Sequence, residues 1–143
     1  MPYRFLEDIA IADVAFEATG ADLEEVFIAA ADALMNVMVA DRNTIRTVEE
    51  VEFQLDNGAL DMLLFDFLNE IIFLKDARRL LLRVMSLEIT ERSSQFVLKA
   101  KVGGEQPDSE RHPLIVDVKA VTLHRFKLEN TGKEWRAEVV LDI

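Results

Sequence analysis

The sequence predicts an α+β fold: a single two-layer domain spanning residues 1–143, with about two helices packed on a mainly antiparallel sheet of six to eight strands. Three observations predict it. Helical periodicity occurs twice, both times in the first half. A strand-like alternation precedes each helical stretch. The second half offers only short apolar stretches separated by polar or glycine-bearing turns. A chain of this length buries roughly 68–70% of the surface it exposes when unfolded, so its core needs no disulfide or structural metal.

Taken in order, residues 12–19 alternate. Ala12, Val14, Phe16 and Ala18 share one face and Asp13, Ala15, Glu17 and Thr19 the other, and Gly20 closes the strand. Asp22 with Glu25 three residues later is an N-cap with an acidic partner. Leu23, Val26, Phe27, Ala30, Leu34 and Val37 then keep to one face of a helix that runs to about Val39. Val51, Phe53 and Leu55 alternate with Glu52 and Gln54 up to the turn Asp56-Asn57-Gly58. The second helix, roughly 59–76, carries the stripe Leu60, Leu63, Phe67, Ile71 and Leu74. Phe65, Leu68 and Ile72 sit on a neighbouring face, so burial on more than one side is expected. Further strands are expected near 79–90, 95–102, 114–128 and 134–142, with residues 103–110 as the long loop and Asn130-Thr131-Gly132-Lys133 as a hairpin turn.

Composition narrows the function. Half of the residues are hydrophobic, yet the apolar runs are broken by charge far short of the ~20 residues that span a bilayer. The first residues carry Glu7 and Asp8 where a secretory signal needs an apolar run, so a cytoplasmic location is expected. Cysteine is absent, which removes disulfides, thiol nucleophiles and thiolate zinc sites. A net charge of −11 disfavours a direct grip on a phosphate backbone, which rests on Lys and Arg.

Catalytic motifs are missing as well. There is no Gly-x-Ser-x-Gly elbow to serve a triad with His112 or His124, and Gly103-Gly104 lacks the pattern of a nucleotide-binding loop. On a strand over 114–128, His124 shares a face with Val116, Val118, Ala120 and Phe126 and reads as a hydrogen-bonded core histidine. His112, beside Arg111 and Pro113, either orients its loop or touches a partner. What remains is oxygen chemistry suited to hard cations. Asp13 lies on the outward face of the first clear strand, and Asp142 precedes the α-carboxylate of Ile143. If the last strand pairs near 12–19, three carboxylates converge and repel one another unless a cation or proton sits between them. Otherwise Asp13 caps a turn and the terminus frays.

At these residues the sequence resembles the archease family. The resemblance rests on Phe5-Leu6-Glu7-Asp8 leading into Ala12-Asp13-Val14-Ala15-Phe16, on Leu23-Glu24-Glu25, and on the run from Leu64 to Leu74. Its most specific stretches are Arg111-His112, Asp117 to His124, and Trp135 to Ile143. Two departures stand out: Asp8-Ile9-Ala10-Ile11 where many members have a His-Thr pair, and Leu123 where many have Tyr.

The resemblance implies an accessory protein and no enzyme. Its partner would be an RtcB-type RNA ligase that rejoins tRNA halves with GTP and a divalent metal. The accessory protein would promote guanylylation and repeated turnover, meeting tRNA only through the ligase and having no membrane role. It further implies a site for calcium or a similar divalent cation on Asp13, Asp142 and the terminal carboxylate of Ile143. Lys119, on the strand side of Asp117 and Arg125, is either the contact with the partner or its nucleotide or an exposed strand lysine that keeps a sheet edge soluble. Two other classes compete. A general chaperone or scaffold predicts a sizeable exposed apolar patch. A hydrolase using Asp13, Asp142 and a metal-activated water needs an enclosed pocket beside those carboxylates.

Overall fold

The structure, a computed structural model, describes residues 2–6 and 13–143. Ala12, Glu7, Asp8 and the departure at 8–11 lie outside the described residues. The element order is β1 (Tyr3–Leu6), β2 (Asp13–Gly20), α1 (Leu23–Met38), a 3-10 turn (Arg42–Thr44), β3 (Glu49–Asn57), α2 (Leu60–Arg78), β4 (Leu81–Arg92), β5 (Gln95–Glu105), β6 (Ala120–Asn130) and β7 (Trp135–Asp142). The expected α+β class holds, with two helices and, among the described residues, seven strands whose pairings are all antiparallel. The strands divide into two sheets, ordered β1-β2-β7-β6 and β3-β5-β4.

Local chemistry accounts for the boundaries. Asp22 accepts a hydrogen bond from the Glu25 amide at 2.8 Å while the Glu25 carboxylate accepts from the Ala21 amide at 2.6 Å, a reciprocal cap that fixes the start of α1. α1 then packs on β2, β7 and β4, and α2 reaches β6 of one sheet and β3 of the other. This is why α2 buries Leu63, Leu64, Phe67, Leu68, Ile71 and Ile72 around much of its circumference. Phe67 joins the layers, with ring centroids 5.8 Å from Phe27 of α1 and 6.2 Å from Phe53 of β3.

Three expectations are corrected. β5 runs on through Gly103, Gly104 and Glu105, which were read as the start of a loop, so the irregular connection to β6 is 106–119. Gly104 is required there because a side chain would collide with the Leu81 carbonyl oxygen on β4. β6 begins only at Ala120; of 114–119, Leu114 alone makes an isolated bridge, to Val39. β1 was not foreseen, because four residues give too short a pattern.

Candidate functional site

β7 lies between β2 and β6, and its register decides the site. Asp13 is paired directly with Asp142, which on its other side is paired with Ala120. Directly opposite residues of an antiparallel pair project to the same face with Cβ atoms about 4.5–5.5 Å apart, so two carboxylates stand side by side at one end of the sheet. Both are half-buried. Asp13 is the first residue of β2 and stands in the ladder, and Ile143, just after the last strand, is half-buried and packs against the core. Lys119 joins the same corner, its backbone N–H donating to the Asp142 carbonyl at 2.8 Å. Its side chain is exposed.

Like charges placed opposite one another destabilise a strand pair, so this corner favours a cation from outside. Its donors are oxygens, the type a hard cation takes. Among the described residues no three His, Asp or Glu side chains gather around one point, so any ion there needs further oxygen donors. The Asp117 carboxylate is committed elsewhere. It accepts from Lys75 Nζ at 2.6 Å, as do Asp76 at 2.7 Å and the Val118 carbonyl at 2.7 Å. Burial disfavours the Lys75 ammonium, but its bonds to Asp117 and Asp76 outweigh that and raise its pKa above the usual lysine value. Lys75 thus ties α2 to the segment that delivers Lys119.

The two histidines separate. His124 is exposed, contrary to the core reading. The ladder between β6 and β7 shifts between Thr122 and Lys127, and Arg125 has a φ of 57°, so the alternation that grouped His124 with Val118 and Phe126 is broken. Arg125 is thereby also separated from the strand side of Lys119 and Asp117. His112 is buried, 1% exposed, and orients its loop. Its Nδ1 accepts from the Asp108 amide at 2.8 Å, which leaves Nε2 as the protonated nitrogen, facing Glu105 Oε2 at 3.1 Å.

Glu105 escaped the sequence reading because it was placed in a loop. It also accepts from the Arg46 amide at 2.6 Å and from the Arg111 guanidinium, whose Nη1 donates to the Thr44 carbonyl at 3.1 Å. Burial works to raise its pKa, but the bonds from Arg111, the Arg46 amide and His112 prevail and bring it down to about 2. The Arg111-His112 dipeptide was the available signal, since adjacent basic groups in a loop of an acidic chain require an anionic partner.

No helix among the described residues is long and apolar enough to cross a membrane. A model of the Archease protein family (MTH1598/TM1083) matches residues 3–143. The chain is 36% identical to the protein archease of Methanosarcina mazei over 142 residues, covering 99% of this chain and 95% of that one. It is 34% identical to the protein archease of Pyrococcus furiosus over 133 residues, covering 92% and 93%. The solution structure of Methanobacterium thermoautotrophicum protein 1598 matches with a TM-score of 0.85 at 32% identity over 99% of both chains. The crystal structure of an archease, possible chaperone, from Thermotoga maritima matches with a TM-score of 0.61 at 22% identity over 98% of both, a likeness of fold. Matched from residue 3 to residue 143, with relatives above 30% identity over nearly their whole length, the chain belongs to the archease family.

Proposed function

We propose that this chain is a cytoplasmic activator of an RtcB-type RNA ligase, promoting its guanylylation and multiple turnover in tRNA splicing, and that it catalyses no reaction of its own. The observation that carries the reading is the direct pairing of Asp13 with Asp142 beside Lys119. Asp13, Asp142 and the α-carboxylate of Ile143 would hold a divalent cation, calcium by the preference of that ion for several oxygen ligands. Bound there, the ion would supply positive charge to a phosphate or nucleotide group of the partner complex. The chain's own contribution is positional. The register of β2 with β7 holds the carboxylates together, and the bond from Lys119 to Asp142 keeps a cationic side chain at the same corner. An acidic chain also meets a basic, RNA-binding enzyme with favourable long-range attraction, so tRNA is met through the ligase.

A second reading, a general chaperone or scaffold, is favoured by one feature: a groove of about 450 Å³ lined by Met38, Leu81, Leu114, Ile115 and Val116 together with the charged Lys75, Asp76, Arg79 and Asp117, with Ile115 60% exposed. Multiple-turnover ligation with the cognate ligase and GTP separates the two. Stimulation by the wild type that disappears in folded Asp13→Ala and Asp142→Ala variants supports the activator; an active ligase that gains nothing from the wild type sinks it and leaves the chaperone reading.

A further inference from the structure

The irregularity of β6 is larger than a one-residue bulge. Thr122 pairs with Val140 and Lys127 with Glu138, so β6 advances five residues while β7 retreats two. Residues Leu123, His124 and Arg125 are therefore extruded from an edge strand. On either side the chain returns to the ladder with apolar side chains inward: Val121 is buried, and Phe126 packs edge-on against Phe65 of α2 at 5.5 Å. The extrusion displays an apolar residue, Leu123, 61% exposed. It also holds Arg125 in the left-handed region, a conformation that disfavours a non-glycine residue and that persists where the surroundings impose it. Its guanidinium bonds Glu138 of β7 at 3.2 Å, which keeps the extruded segment against the sheet.

Position gives this its meaning. Leu123 lies three residues beyond Ala120, the neighbour of Asp142, so the extrusion begins roughly 10 Å along the strand from the carboxylate corner, at 3.4 Å per strand residue. It stands on the open edge of the sheet, whereas β2, on the other side of β7, is paired from Ala15 to Ala18 with β1.

We infer that the 123–125 extrusion is a second contact for the same partner, with Leu123 inserted into an apolar pocket beside the basic surface that meets the carboxylate corner. This rests on the activator reading above and adds to it a division of labour. The corner acts on the chemistry of the ligase, and Leu123 supplies affinity without touching that chemistry. A central apolar anchor buried at a protein interface is commonly worth a tenfold or greater change in binding when lost.

The test is ligation stimulated by increasing amounts of wild type, Leu123→Asp, Leu123→Met and Asp142→Ala, each melted beforehand. Leu123→Asp is expected to raise the half-saturating concentration about tenfold or more while keeping the saturating rate and the melting temperature. Leu123→Met should keep all three, and Asp142→Ala should lose the saturating rate. An unchanged half-saturating concentration in Leu123→Asp, with the wild type active, overturns the anchor and leaves the activator reading standing. A melting temperature that falls by more than a few degrees makes Leu123 a structural residue and overturns it too. Absence of any stimulation by the wild type overturns both.

Discussion

Two polar clusters at different places in this fold have opposite electrostatic designs. Around Glu105 one carboxylate is met by a guanidinium, a backbone amide and an imidazole N–H, and His112 is in turn satisfied by the Asp108 amide. The Glu105 charge is thus matched by donors of its own chain. At the Asp13–Asp142 corner two carboxylates face each other, and among the described residues only the Lys119 backbone is bonded beside them. A buried group fully matched by its own chain stabilises the fold. A like-charge pair left unmatched weakens it and is useful only when something else arrives. The first cluster is architectural, and the second is the one that suits the proposed binding role.

The contrast is broken most forcefully at Glu105. Its replacement by Gln sets an NH2 against donors in either amide orientation, Arg111 Nη2 in one and Arg46 N–H with His112 Nε2–H in the other, and the imidazole cannot reverse its tautomer without turning Nδ1–H against the Asp108 amide. Glu105→Gln is expected to lose about 2–3 kcal/mol in denaturant unfolding. The loss has a pH signature. Because the folded pKa lies at about 2, below the 4.5 of a free glutamate, the stabilisation is complete above pH 4.5 and disappears as pH falls toward 2. Wild type and variant should therefore converge in stability near pH 2; parallel curves from pH 7 to 2 would show that the carboxylate charge is not what holds the cluster.

At the open corner the sign reverses. With divalent cations chelated, Asp142→Asn should leave stability unchanged or raise it by about 0.5 kcal/mol, since a repulsion is removed. Added calcium should raise the melting temperature of the wild type and not of the variant, approaching about 2.7 kcal/mol at a hundred times Kd. A variant that melts lower in chelator would move this corner into the architectural class. A control outside both clusters is the end of α2. Arg79 ends α2 in the left-handed region, φ 54° and ψ 49°, so Arg79→Gly should gain about 1 kcal/mol in thermal unfolding and leave ligation stimulation alone.

Much of the fold was legible because local signals coincide with it. The Asp22–Glu25 cap, the two helical stripes and the Asn130–Lys133 hairpin depend on neighbours in sequence, and Gly132 indeed takes a φ of 90° in that turn. His124 was misread because alternation was extended through residues that the strand extrudes. Glu105 was missed because its partners Arg46, Arg111 and His112 come together only when β5, the loop after it and the segment before β3 are folded.

By itself, then, the sequence determined the fold class, both helices with their boundaries to within about two residues, the lack of any thiol chemistry, and the identity of Asp13, Asp142 and Lys119 as the residues worth locating. Only the tertiary structure decided that Asp13 faces Asp142 across a ladder, that His112 is locked inward while His124 is turned out, and that Leu123 is extruded beside the corner. The physical reason is range. Caps, turns and periodicity are set within a few residues, whereas register, burial and charge matching bring together residues that can lie far apart in sequence, as Asp13 and Asp142 do.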